Sequence, residues 1–213
     1  TRLNIAKTKY ISAYDLALVN GRDNFDYLGY EFVLVPKYNQ NRIKTEFQYG
    51  LTQKKIDKYS GKINNLVREY MADKNVELLR HKLKAFASRV VYQIPKYKKL
   101  IWKTKGFIAN YQELRYRRGL LTNDTENFLK NAIMDAFVNN GISLPYFLKS
   151  SQKESIYNLY NNLLSYRTLL FVESIGIAKQ SLAKMCVQIG ISSSSQDYND
   201  FVREYLIKVK VGH

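Results

Sequence analysis

The chain has 213 residues, 46% of them apolar, which is ample for one or two cores, and it carries a net charge of +16 at neutral pH. The stretch from Leu163 to Ala178 is broken by Arg167 and Glu173, so no apolar run of about 18 residues or more is present to span a bilayer. Cys186 stands alone inside an apolar stretch, which excludes an internal disulfide and fits a buried thiol in a reducing cytoplasm; His81 and His213 lack cysteine partners for a zinc site.

Two short blocks open the chain: Leu3-Asn4-Ile5-Ala6-Lys7-Thr8-Lys9, and Phe25-Asp26-Tyr27-Leu28-Gly29-Tyr30-Glu31-Phe32. In the second, Tyr27, Tyr30, Phe32 and Val33 are strand formers around Gly29, and a glycine inside a strand pattern marks a bulge, a tight bend or the close approach of another backbone. From Arg42 to Tyr49, Ile43, Thr45, Phe47 and Tyr49 alternate with Arg42, Lys44, Glu46 and Gln48, the pattern of a half-buried strand. With Asp26 to Val35 it predicts a hairpin across a turn from Pro36 to Asn41.

Thr52 is positioned to cap a helix in which Ile56, Tyr59, Ile63, Leu66 or Val67, and Tyr70 form the apolar face. Lys54, Lys58 and Lys62 recur every four residues on a different face, with Lys55 beside them. Gly61 weakens this helix by about 1 kcal/mol relative to alanine, or lets a backbone or ribose come close. A second helix is predicted from about Asn75 to Tyr92, with Val76, Leu79, Leu83, Phe86 and Val90 apolar and Arg80, Lys84 and Arg89 among its cations.

Between Gln93 and Gly119, Tyr97, Trp102, Phe107, Tyr111 and Tyr116 interleave with Lys96, Lys98, Lys99, Lys103, Lys105, Arg115, Arg117 and Arg118. Such rings stack bases or fill helix interfaces, and Tyr111 and Tyr116 are expected in the core; Arg115, Arg117 and Arg118 are the better candidates for phosphate contact. Beyond Gly119, Thr122 or Asn123 caps a helix with Phe128, Leu129, Ile133, Ala136 and Phe137 that stops near Asn139-Asn140-Gly141. Pro145 precedes amphipathic stretches at about Gln152 to Leu164 and Tyr166 to Ile189, then a turn at Gly190 to Ser195, then a last helix from Asp197 to Lys208 docked by Phe201, Tyr205 and Leu206.

Charge is concentrated rather than spread. Residues 37–118 hold 21 Lys or Arg against 6 Asp or Glu, residues 1–36 hold 4 against 4, and residues 119–213 hold 9 against 8. Solvated faces normally mix both signs, so this block is the electrostatic footprint expected of a nucleic-acid or anionic-membrane surface, with membrane the weaker choice. No Ser/His/Asp set, glycine-rich phosphate loop or helical His pair is present, which argues against an enzyme self-contained in these residues.

The two N-terminal blocks, in this order and at this spacing, resemble the last two palm motifs of the group II intron, retron and bacterial defence reverse transcriptases. The first is similar to the Leu-Asn-x-x-Lys-Thr element that follows the catalytic aspartates, the second to the Phe-x-Tyr-Leu-Gly-Tyr primer grip. The resemblance implies that Tyr27, Leu28, Gly29 and Tyr30 hold the primer, and that the helix after Thr52 lies along the minor groove of the duplex. It implies that Lys7 lies near the phosphates of the incoming nucleotide, where an ammonium neutralises charge or protonates the leaving pyrophosphate; the alternative is a plain surface lysine. It also implies Mg held by aspartates in the intact polymerase. No Asp-Asp pair occurs in the 213 residues, and in the family it lies upstream of the first block. The expectation is a C-terminal part of a longer polymerase that binds no Mg and extends no primer by itself.

The expected fold is mainly α with a small N-terminal antiparallel β element, an α+β chain with a helical bundle thumb. Residues 1–50 would be the end of the palm with its hairpin, residues 51–120 the basic helical thumb, and residues 121–213 the rest of the thumb or a helical accessory domain. The expected partners are an RNA template and a DNA primer, met through Lys54, Lys55, Lys58, Lys62, Arg80, Lys84, Arg115, Arg117 and Arg118. Two alternatives are a non-catalytic basic helical nucleic-acid-binding module and a helical domain whose basic face meets an acidic protein.

Overall fold

The computed structural model describes residues 23–39, 42–97, 99–116, 118–149, 157–192 and 197–210. Among these the protein is mainly α, with eight α-helices and two three-stranded sheets, the α+β class expected.

The first sheet is an antiparallel meander of β1 (Asp23–Tyr27), β2 (Tyr30–Asn39) and β3 (Arg42–Leu51). β1 and β2 are joined by a two-residue loop in which Leu28 has φ 51° and Gly29 φ 87°, with Tyr27 facing Tyr30 across it. Left-handed backbone at both loop residues is what a twisted hairpin demands. The strand expected from Asp26 to Val35 is therefore cut in two, and Gly29 marks a tight bend. The hairpin of β2 with β3 forms as expected, but Pro36 to Asn39, assigned to the turn, continue the ladder from Pro36↔Thr45 to Asn39↔Arg42. Among the described residues β1 reaches only Leu34, so Pro36 has a ladder partner on one side alone, where a missing N–H is tolerated.

Helix α1 (Gln53–Asp73) follows Thr52, which has the extended N-cap conformation, and buries Tyr59, Ile63 and Val67 with Ile56, Leu66 and Tyr70 partly covered. Helix α2 (Val76–Phe86) is capped by Asn75, whose Oδ1 accepts the Leu78 N–H at 2.9 Å. It ends at Phe86 rather than Tyr92. Arg89–Lys96 is strand β4, paired antiparallel with β5 (Lys99–Lys105) and parallel with β6 (Thr168–Phe171). Val90, Tyr92 and Ile94 alternate as a strand requires, and β-branched neighbours at Val90 and Val91 favour the extended form once β6 supplies a partner.

A short helix α3 (Phe107–Asn110) and two 3-10 turns, Gln112–Arg115 and Arg118–Leu120, lead into α4 (Asn123–Asn139), which buries Phe128, Leu129, Ile133, Ala136 and Phe137 as its periodicity predicts. Helices α5 (Tyr146–Lys149) and α6 (Leu159–Leu164) follow. The helix expected from Tyr166 to Ile189 is instead β6, a loop, and α7 (Lys179–Gln188). The last helix, α8 (Tyr198–Lys208), begins at the expected place, with Asp197 Oδ1 accepting the Asn199 N–H at 2.6 Å.

Two apolar cores result. One gathers Leu51, Tyr59, Ile63, Leu83, Phe107, Leu129, Phe137 and Leu163; the other gathers Leu78, Val90, Phe171, Leu182, Cys186 and Tyr205. Cys186 is fully buried, as expected, and burial followed by the Glu204 charge pushes its thiol up to about 11.

Candidate nucleic-acid interface

The β1–β2 turn sits on the start of α1. The Thr52 N–H donates to the Gly29 carbonyl at 3.2 Å, and the space where a Gly29 Cβ would stand is bounded by Lys55 Cε at 2.6 Å. Tyr27 and Leu28 project into solvent, 63% and 79% exposed. Tyr30 turns the other way: its hydroxyl donates to Glu113 Oε2 at 2.6 Å and its ring meets Tyr111 edge-on at 5.6 Å. Burial first, then the Glu113 hydrogen bond and charge, raise this phenol well above its ordinary value. Of the four turn residues, two are presented and two build the mount.

The lysines of α1 continue from that mount. Lys55, Lys58 and Lys62 follow at spacings of three and four residues, which places them on one face, with Lys54 alongside. Lys54 and Lys58 are exposed, while Lys55 and Lys62 are half-buried. The Lys58 and Lys62 ammonium groups stand 5.9 and 5.8 Å from the centre of the Tyr59 ring.

Other expected contacts lie elsewhere. Arg80 is engaged with Glu77 at 3.4 Å, and its pKa is raised chiefly by a hydrogen bond with Tyr157 and only then by the Glu77 charge. Lys84 is half-buried, and burial followed by the charges of Arg167 and Arg80 lowers its pKa. Within α2, Leu79 and Leu83 share a core with Ile63 and Val67 of α1, and Lys82, Ala85 and Phe86 line a cleft beside it, so by helical spacing Arg80 and Lys84 lie on the side of α2 away from that cleft. Arg115 stacks on Tyr116 at 4.8 Å and Tyr166 at 4.0 Å, and Tyr166 also receives Arg89 at 5.0 Å. Lys7, Arg117 and the side chain of Arg118 lie outside the described residues.

Among the interleaved aromatics, Phe107 and Tyr111 are core residues, whereas Tyr97, Trp102 and Tyr116 are 87%, 50% and 66% exposed. Tyr116, expected inside, is outside because the 3-10 turn ends at Arg115 and leaves its ring against the Arg115 guanidinium.

Sequence reasoning missed a cleft of about 510 Å³ between α1, α2, the end of β5 and the chain after α8. Its charged lining is Lys58, Lys62, Lys82, Lys105, Lys210 and Glu69. Glu69 accepts from Lys82 at 2.6 Å and from Lys210; burial alone would raise its pKa, but the hydrogen bonds from Lys210 and Lys82 outweigh burial and lower it. The one local signal was Lys82, a cation set among the apolar positions Leu79, Leu83 and Phe86. The Lys210 contact spans 141 residues and has no local signature.

No protein-family model, curated protein or solved structure matches this chain. Among the described residues no group of three or more His, Cys, Asp or Glu side chains is placed to hold a metal. No described helix is long and apolar enough to cross a membrane.

Proposed function

We propose that the protein is the primer-grip hairpin and thumb of a cytoplasmic RNA-directed DNA polymerase with a C-terminal extension, and that it grips an RNA:DNA template–primer duplex. The observation that carries this reading is the mounting of the exposed Tyr27–Leu28 turn on Lys55, at the head of the Lys55, Lys58 and Lys62 face. From Lys55 to Lys62 the helix advances about 10 Å. A duplex strand offers roughly three phosphates over that length. Polymerisation belongs to the whole enzyme, whose aspartates and Mg would precede Leu3, with Lys7 beside the incoming phosphates.

A second reading rests on β5, whose residues are exposed or half-exposed throughout, with Leu100 and Trp102 set among Lys99, Lys103 and Lys105. Bases of a single strand stack on such a surface, and the chain would then be a non-catalytic binding module. Competition among an RNA:DNA hybrid, single-stranded RNA and an acidic peptide decides. The thumb reading expects the hybrid to win and Lys58→Glu with Lys62→Glu to weaken it by about tenfold or more. A win for single strands, lost in Trp102→Ala, would replace the thumb by the module. Equal competition by the acidic peptide would remove both.

A further inference from the structure

The cleft between α1 and α2 combines two features that a plain phosphate-binding surface does not need. Its rim is cationic: five lysines face one carboxylate, and Glu69 is already shared between Lys82 and Lys210, which leaves the charge of Lys58 and Lys105 facing the opening. Lys58 and Lys105 have no ion-pair partner among the described residues. Its wall is apolar, formed by Leu66, Ala85 and Phe86 with Tyr59 and Phe107 behind them. Phe86 lies near-parallel to Phe107, at 25° and 6.2 Å between centres, and meets Tyr59 at 61°, so the ring is braced rather than loose.

A volume of about 510 Å³ far exceeds an inorganic anion and falls in the range that holds a small organic ligand. The occupant must be anionic at one end and flat and apolar at the other. We propose that the cleft is a binding site for one unpaired nucleotide, its phosphate between Lys58 and Lys105 and its base against Phe86 and Leu66. The source is a free nucleotide or the phosphorylated end of a strand, since both present the same chemistry. The site shares Lys58 with the face that carries the duplex reading, whereas Lys105, Phe86 and Leu66 belong to the cleft alone, so Lys105 is the residue that separates the two.

The test is calorimetric titration of the full chain with AMP and with inorganic phosphate, in the wild type and in Lys105→Glu. Lys105 is exposed, so its variant should melt as the wild type does. AMP is expected to bind at least about tenfold tighter than phosphate, and Lys105→Glu to weaken AMP by about tenfold while leaving a blunt RNA:DNA hybrid nearly unaffected. Tyr27→Ala with Leu28→Ala should do the converse. Displacement of AMP by a hybrid bearing a one-nucleotide 5′-phosphorylated overhang assigns the site to strand ends, and AMP binding without displacement assigns it to free nucleotide; both support the site. Equal affinities for AMP and phosphate, or AMP binding indifferent to Lys105→Glu, would overturn it. AMP binding without hybrid binding would keep the cleft and sink the duplex reading instead.

Discussion

Lys55 lies directly beneath Gly29: a Cβ on that glycine would come within 2.6 Å of Lys55 Cε, so the turn and the first helix of the basic block are fitted to each other. Gly29 also has φ +87°, a conformation that costs an L side chain about 1–2 kcal/mol. Gly29→Ala should therefore lower the free energy of urea unfolding by about that amount, displace Lys55, and weaken hybrid binding with it. A variant as stable as the wild type would mean that the turn is built differently.

Gly50 is packed more severely. A Cβ there would meet Thr125 Oγ1 at 2.1 Å and Thr122 Oγ1 at 2.3 Å, two buried hydroxyls already bonded to each other at 2.9 Å. Thr125 Oγ1 also accepts the Leu51 N–H at 2.7 Å. Gly50→Ala must break this arrangement or move β3 away from α4, and about 3 kcal/mol or more should be lost in equilibrium unfolding.

Gly61 is the opposite case, since a Cβ there meets nothing within 4 Å. Gly61→Ala should stabilise the protein by about 1 kcal/mol in thermal unfolding. Hybrid affinity measured on the same variant separates the two uses of this glycine: unchanged affinity makes it a mere gap in the helix, and a loss shows that a backbone or ribose comes against it.

Acid should destabilise the fold through His81. Its ring is buried between the Tyr205 hydroxyl, 3.0 Å from Nδ1, and Gln188 Oε1, 3.2 Å from Nε2. A neutral imidazole carrying its proton on Nε2 donates to Gln188 and accepts from Tyr205, which satisfies both contacts. Burial first, and then the charge of Lys84, lower the pKa against the opposing pull of the Gln188 bond and Glu77. In the unfolded chain the ring titrates near about 6.5. As the pH falls below that value the unfolded chain takes up a proton that the folded chain resists, so the urea midpoint should drop between pH 7.5 and 5, and less so in His81→Gln.

The helix face of Ile56, Tyr59, Ile63, Val67 and Tyr70, the stop at Asn139 to Gly141, and the α8 residues Tyr205 and Phe201 were legible because each follows from a local period and a local cap. β4 and β6 were not, because Thr168–Phe171 becomes a strand only by pairing across the chain with Arg89–Tyr92, and β4 takes a strand partner on each side, β5 and β6, that no helical or capping signal in its own residues reveals. Val90 and Leu169 are equally acceptable in a helix until that partner is known. At the site, the α1 lysines were readable as a stripe. The nearness of Lys55 to the Leu28–Gly29 turn, the diversion of Arg80 and Lys84 away from the cleft side of α2, and the Glu69 bridge to Lys82 and Lys210 depend on packing between segments.

The most direct measurement is the affinity of the full chain for an RNA:DNA hybrid between 50 and 200 mM salt, followed by fluorescence anisotropy. If the α1 lysines Lys54, Lys55, Lys58 and Lys62 neutralise roughly three or four phosphates, the logarithm of the affinity should fall against the logarithm of salt with a slope of about −3 to −4. A slope near zero, or no binding at 50 mM, would contradict a nucleic-acid grip.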